Sequence, residues 1–125
     1  MRKAVVSSGA PAAIGPYSQG IEAGELVFVS GQIPAKPDGL LVEGGIAEQT
    51  TRCLDNIEAI LKACGLGLDA VVKTTVFMTD LSQFAGMNEQ YAKRFSSPAP
   101  ARATVEVSAL PKGVGIEIEA IASRR

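Results

Sequence analysis

Histidine is absent from this chain of 125 residues. Without an imidazole, neither a Ser–His nor a Cys–His nucleophile pair can form, and most transition-metal sites lose their usual ligands. Any chemistry must therefore use carboxylates, arginine, lysine, tyrosine, hydroxyl groups, backbone groups and water. We expect no metal site.

Cysteine is scarce, since the chain has only Cys53 and Cys64. Both fall in a predicted helix, where a rise of 1.5 Å per residue separates them by about 16 Å along the axis. That distance is too long for a disulfide, and both residues are interpreted as small core residues.

Long apolar runs are also missing, so no segment is predicted to cross a bilayer. The N-terminus lacks the charged and then apolar pattern of a signal peptide, and the default expectation is a cytoplasmic protein. A length of 125 residues with 46% hydrophobic residues predicts one globular domain over residues 1–125.

An excess of positive charge is absent as well. Lys and Arg together number 12 and Asp and Glu 13, which leaves a net charge of −1. The basic residues are scattered, and Arg124 with Arg125 is too short a run to act as a basic stripe. Nucleic-acid binding is therefore disfavoured.

Hydrophobic periodicity predicts two helices among several strands. Apolar residues at helical spacing indicate a helix over residues 46–64, and a second is expected from Asp80 or Ser82 to about Phe95. The continuous apolar run 26–29 is typical of a strand buried on both faces. The other predicted strands cover residues 3–7, 18–23, 70–79, 100–107 and 116–120, with a hairpin turn at 24–25 and a loop over 34–45.

This order of elements predicts an α+β (α/β-like) fold, a mixed sheet with both helices packed on one face. Strands joined through a helix should run parallel, with right-handed crossovers. The uncovered face carries too many valines and isoleucines to stay in water, so we expect association through it.

Alternation in the last two strands suggests a candidate site. Arg102 and Glu117 each lie among the polar positions of a strand, so a guanidinium and a carboxylate could sit on the polar faces of neighbouring strands. Arginine binds planar anions with two parallel hydrogen bonds, and a nearby carboxylate can move a proton. Solvated cross-strand partners are the alternative interpretation of both residues.

Several motifs in order along almost the whole chain resemble the RidA (YjgF) family of reactive-intermediate deaminases. They are Gly15-Pro16-Tyr17-Ser18-Gln19, Val29-Ser30-Gly31-Gln32-Ile33-Pro34, Asp55-Asn56, Val72-Lys73-Thr74-Thr75-Val76, and Pro100-Ala101-Arg102 with Ile116-Glu117-Ile118-Glu119-Ala120. The resemblance implies a chorismate-mutase-like fold, a homotrimer with ligand clefts between subunits, and no cofactor. It also implies hydrolysis of 2-imino acids, such as 2-iminobutanoate and 2-iminopropanoate released by pyridoxal-phosphate dehydratases, to 2-oxo acids and ammonia.

The resemblance also assigns roles to residues. Arg102 matches the arginine that binds the substrate carboxylate, and Glu117 matches the glutamate thought to position water. The remaining matches line the cleft or bind substrate, and they are Tyr17, Ser30, Gly31, Asn88 and Thr104. Many family members carry cysteine at the position of Thr104, so a thiol-based role is not available here.

Four of these residues have simpler interpretations. Tyr17 could be a packing residue in a proline-bounded loop, and Ser30 could bond its own backbone at a strand end. Thr104 fits an ordinary strand position, and Asn88 fits a solvated position within a helix.

Three functions remain open at this point. The first is a cofactor-independent imine deaminase, and the second is a sensor that binds 2-oxo acids without turnover. The third, RNA cleavage, has been attached to members of the family that the chain resembles. The absence of histidine and of a basic face argues against it.

Overall fold

Six strands in one sheet and two α-helices make up the computed structural model, which describes residues 1–125. Three single turns of 3-10 helix lie at Leu68–Ala70, Leu81–Gln83 and Pro111–Gly113. The main elements in chain order are β1 (Arg2–Val5), β2 (Gly20–Ala23), β3 (Leu26–Gln32), α1 (Ile46–Lys62), β4 (Val71–Met78), α2 (Phe84–Ala92), β5 (Ala101–Glu106) and β6 (Ile116–Ser123).

The sheet is mixed, with the strand order β1-β2-β3-β6-β4-β5. β1, β2, β3, β6 and β4 pair antiparallel in that order, and β5 pairs parallel to β4 at the far edge. Both β3 and β4 are antiparallel to β6, so the strands joined through α1 run parallel, as do those joined through α2. The predicted α+β fold and the parallel crossovers are confirmed, and the hairpin turn falls at Gly24, whose φ is 61°.

Helix α1 packs five apolar residues into the core. It begins where the Gly45 backbone N–H donates to Glu48 Oε1 at 2.8 Å, and beyond its end Gly65 takes a φ of 81°. Its buried stripe contains Cys53, Leu54, Ile57, Ile60 and Leu61, all with no exposed surface. Burying each large side chain of this kind contributes roughly 1.5–3 kcal/mol. The predicted helix over 46–64 is confirmed, ending two residues earlier, at Lys62.

Helix α2 is shorter than its prediction. Asp80 does cap a helical segment, because its Oδ1 accepts from the Ser82 N–H at 2.9 Å, but that segment is the 3-10 turn Leu81–Gln83. The α-helix itself runs from Phe84 to Ala92, and the chain leaves it before the predicted end near residue 95. Phe95 continues the helical spacing of apolar residues beyond Ala92, where the helix ends, so periodicity alone placed the end too late.

One face of the sheet is covered by the helices, and the other is exposed in the protomer. Both helices pack on one face, where Val27 and Val29 of β3 are buried. On the other face Phe28 is 42% exposed, so the prediction that residues 26–29 are buried on both faces is wrong within one protomer. Leu26 and Val105 are likewise exposed on this face. The uncovered face therefore carries exposed apolar side chains, as expected.

Candidate functional site

Arg102 and Glu117 lie on opposite faces of the sheet. Arg102 pairs with Thr74 of β4, which is buried under the helices, whereas Glu117 pairs with Phe77, three residues further along β4. Strand β4 also separates β5 from β6. The prediction that the two charged groups occupy polar faces of neighbouring strands is thus wrong within one protomer. Alternation shows which residues of one strand share a face, but only the pairing register relates one strand to the next.

Arg102 lies in a cradle built by one side of α2. Its Nη1 donates to Asn88 Oδ1 at 2.7 Å, and its Cζ lies 4.8 Å from the centroid of the Tyr91 ring and 5.5 Å from that of Phe84. Phe84, Asn88 and Tyr91 follow the i, i+4, i+7 spacing that places side chains on one helix face. We call these four residues the arginine cluster. The interpretation of Asn88 as a solvated helix residue is wrong, because its amide oxygen holds the guanidinium.

The guanidinium of Arg102 keeps most of its hydrogen-bonding capacity. It has five N–H donors, and Asn88 is its one protein acceptor. None of the ion pairs in the protomer involves Arg102. A half-buried guanidinium that stacks on rings and has free donors can bind a carboxylate through two parallel hydrogen bonds.

Thr104 shares the face of Arg102, two residues further along β5. Its hydroxyl oxygen Oγ1 is buried and has no hydrogen-bond partner. A buried hydroxyl without a partner is unfavourable, so Thr104 is not explained as an ordinary strand residue alone. Its position beside Arg102 is consistent with the predicted substrate-binding role.

Glu117 lines a separate cavity of about 780 Å³ at the other side of the sheet. Tyr17, Ser30, Gly31 and Glu119 line the same cavity, and we call these five residues the acidic pocket. The structure therefore brings together four of the predicted site residues in this pocket. Of the other three, Arg102 and Asn88 belong to the arginine cluster, and Thr104 lies beside it on β5.

The carboxyl group of Glu117 is tuned by its surroundings. Its partial burial raises its pKa above the usual range for glutamate, and the negative charge of nearby Glu119 raises that pKa further. A carboxyl group with a raised pKa binds and releases protons closer to neutral pH. Such a group suits general acid–base chemistry.

Gly31 allows this carboxylate to lie against the backbone of β3. A Cβ atom at position 31 would overlap Glu117 Oε2 and would also lie 2.9 Å from Glu117 Cδ. The backbone of Gly31 has no unusual requirement for φ, so the close approach of Glu117 is the reason that glycine is needed there.

Tyr17 and Ser30 behave differently within the acidic pocket. Tyr17 is 53% exposed, which contradicts its interpretation as a packing residue within the protomer. Ser30 Oγ donates to the backbone oxygen of Ser18 at 2.5 Å, so its proton already bonds backbone, though across the β2–β3 hairpin and not within its own segment. The Ser30 oxygen remains able to accept a hydrogen bond.

Residues 7–124 match the model of the family described as Endoribonuclease L-PSP. The chain belongs to the RidA family. The family resemblance of the sequence motifs is therefore confirmed.

Known relatives of this RidA protein carry several descriptions. This chain is 48% identical to the Escherichia coli K12 protein named 2-iminobutanoate/2-iminopropanoate deaminase, over the full length of both chains. A crystal structure of a putative endoribonuclease from Thermotoga maritima superposes with a TM-score of 0.97 at 50% identity, covering 100% of this chain and 99% of that one. RidA from an Antarctic Psychrobacter superposes with a TM-score of 0.92 at 43% identity, covering 97% and 98%.

Two polar residues of the family motifs have structural roles that were not predicted from the sequence. Gln19 is buried, with Oε1 accepting from the Ser7 N–H at 2.7 Å and Nε2 donating to Pro11 O at 2.8 Å, which fixes the loop that leads to Tyr17. Asn56 is buried in α1, and its Nδ2 donates to Ala35 O at 2.9 Å, which ties the loop after β3 to the helix. Both partners are distant along the chain, so no local pattern signals these roles.

Two further observations concern metal ions and membranes. No group of three or more His, Cys, Asp or Glu side chains is arranged to hold a metal ion. Neither helix is long and apolar enough to span a membrane.

Proposed function

We propose that this RidA protein hydrolyses 2-imino acids to 2-oxo acids and ammonia in clefts between the protomers of a homotrimer, without a cofactor. The observation that carries the proposal is the separation of the arginine cluster from the acidic pocket on opposite faces. The arginine cluster contains no carboxylate, and the acidic pocket contains no arginine. A second copy of the chain can supply the missing half.

Charge complementarity supports this pairing of halves. The arginine cluster presents a cation with unused donors, while the acidic pocket holds Glu117 and Glu119 side by side. The uncovered sheet face carries exposed Leu26, Phe28 and Val105, whose burial would favour association. A cleft formed in this way would hold an anchoring cation and a proton-accepting carboxylate together.

The proposed reaction needs no strong nucleophile, because a protonated imine is already electrophilic. The free edge of Arg102 would bind the substrate carboxylate and hold the imine carbon near a water molecule. Glu117 would accept a proton as the water oxygen bonds to that carbon, which gives a tetrahedral amino alcohol. Glu117 would then return the proton to nitrogen, and the carbon–nitrogen bond would break as the hydroxyl group gives its own proton to Glu117, which forms the 2-oxo acid and ammonia. Ammonia would take up that last proton and leave as ammonium.

The name of the Escherichia coli relative supports this substrate class, because it specifies 2-iminobutanoate and 2-iminopropanoate. Under this proposal the substrates come from pyridoxal-phosphate dehydratases acting in the same compartment, which we expect to be the cytoplasm. A free, diffusing imine requires no stable complex between the two enzymes.

The wild-type protein tests the proposal directly. A purified threonine dehydratase should form 2-oxobutanoate and ammonia faster when this protein is added, because the protein catalyses hydrolysis of the released imine, which is otherwise slow. The measurement is the rate of ammonia release under excess dehydratase, with heat-denatured protein as control. Binding of 2-oxobutanoate without any acceleration would instead identify a metabolite sensor.

A further inference from the structure

Tyr91 connects the guanidinium of Arg102 to the buried core. Tyr91 is 5% exposed, and its ring centroid lies 4.8 Å from Cζ of the Arg102 guanidinium. Its hydroxyl group shares a hydrogen bond of 2.6 Å with Thr74 Oγ1, and Thr74 is 1% exposed. Both ends of this tyrosine are therefore fixed, the ring by Arg102 and the hydroxyl by β4.

The pairing register places Arg102, Thr74 and Tyr91 in contact with one another in turn. Thr74 is the residue of β4 that pairs with Arg102 of β5. The backbone thus holds Thr74 beside Arg102, the hydroxyl of Tyr91 bonds to Thr74, and the ring of Tyr91 returns to the guanidinium. Moving the guanidinium off the ring would lose the cation–π contact, and moving the ring away from β4 would break a buried hydrogen bond.

The other contacts of Arg102 hold the orientation of its guanidinium plane less firmly. Asn88 accepts one hydrogen bond from Nη1 and so fixes one end of the guanidinium, while its plane stays free to turn about that bond. Phe84 is 38% exposed and its ring centroid is 5.5 Å from Cζ, so it gives a more distant second ring. The plane is held mainly from the Tyr91 side.

We propose that Tyr91, tied to Thr74, is a positioning residue that orients the donor edge of Arg102 for the substrate carboxylate. This inference rests on the proposed function, in which Arg102 anchors an anionic substrate. A flexible arginine has to be ordered when it binds a ligand, and that ordering weakens the affinity. Tyr91 orders the side chain before the substrate arrives.

Two substitutions separate the ring from the hydroxyl group. Tyr91→Leu removes the ring from beneath the guanidinium, whereas Tyr91→Phe keeps the ring and removes the hydrogen bond to Thr74. The matched control is Phe95→Leu, because Phe95 packs against the same core and against Tyr91, at 4.7 Å between ring centroids, but makes no cation–π contact with Arg102. Both leucine variants lose an aromatic ring that packs on the core, and only Tyr91→Leu removes the ring beneath Arg102.

Binding and turnover should respond in different ways. We expect Tyr91→Leu to raise KM for the imine and Kd for pyruvate by about tenfold, the effect of losing a desolvated cation–π contact, while kcat stays within about threefold. Tyr91→Phe should raise both constants by a smaller factor, because the ring remains but is no longer tied to Thr74, and Phe95→Leu should leave both constants near wild type. Equal increases in the two leucine variants would overturn the inference, because they would show a general effect of core loss.

A spectroscopic measurement tests the geometry without any activity. The ring current of Tyr91 should shift the side-chain Nε–H signal of Arg102 in NMR spectra, and the shift should disappear in Tyr91→Leu and remain in Tyr91→Phe. An Arg102 signal that is unaffected by Tyr91→Leu would overturn the inference. A wild-type protein that shows the shift and binds pyruvate, yet does not hydrolyse imines, would contradict the proposed function and leave the positioning role supported.

Discussion

Replacing Arg102 with alanine is expected to lower kcat/KM for imine hydrolysis by roughly a hundred- to a thousandfold, the range for losing a charge-assisted pair of hydrogen bonds. The reason is that Arg102 alone offers a cation with free donors at the cluster. The measurement is the steady-state rate of ammonia release with a coupled dehydratase. Because Arg102 is only half-buried and lies on an edge strand, the fold should survive the change.

Two further variants give this prediction its controls. Arg102→Lys keeps the positive charge but cannot form two parallel hydrogen bonds, so it should recover only a small part of the loss. Arg125→Ala removes an arginine whose side chain is 83% exposed at the C-terminus, and it should leave the rate unchanged. Activity of Arg102→Ala close to wild type would show that the substrate is anchored elsewhere.

Replacing Glu117 with glutamine is expected to lower kcat by roughly a hundred- to ten thousandfold, the usual contribution of a general acid–base group. Glutamine fills the same space but cannot accept a proton from water. The thermal midpoint should not fall. Burial and Glu119 raise the pKa of Glu117 in the folded state, so the stability contributed by this group is present at low pH and lost as pH rises through that pKa. At neutral pH the uncharged glutamine should therefore be neutral or stabilising.

The pH profile provides the matching control for Glu117. As a base this group has to be deprotonated, so activity should fall as pH is lowered through its raised pKa. Glu119→Gln removes the neighbouring negative charge that helps to raise this pKa, and should move the acid limb of kcat to lower pH. An acid limb that stays in place in Glu119→Gln but disappears in Glu117→Gln would show that burial alone sets the pKa. An unchanged rate in Glu117→Gln would remove Glu117 from the chemistry.

The sequence predicted the elements better than their spatial relations. The apolar stripe of α1 is a local pattern, and it placed the helix to within two residues of its end. The alternation around Arg102 and Glu117 is equally local, and it correctly predicted two strands. It could not show that β4 lies between them, or that the register places their side chains on opposite faces.

The stripe on α2 shows a second limit of sequence patterns. Phe84 and Tyr91 are apolar residues at helical spacing, a pattern typical of core positions, and Tyr91 is buried. Phe84 is partly exposed, and both rings support a guanidinium that arrives from β5. The same side chain can be a core residue and part of a site, and only the position of Arg102 distinguishes the two. That position depends on contacts between residues far apart in the chain.

Mixed assemblies test most directly whether one site takes its arginine from one protomer and its glutamate from another. Arg102→Ala and Glu117→Gln are each expected to be nearly inactive when pure. When the two are unfolded together and refolded at equal amounts, random assembly in a ring should give both intact halves to about one quarter of the sites, and activity should return to about that fraction of wild type. Activity no higher than the sum of the two pure variants, in assemblies shown by mass spectrometry to be mixed, would contradict a shared site.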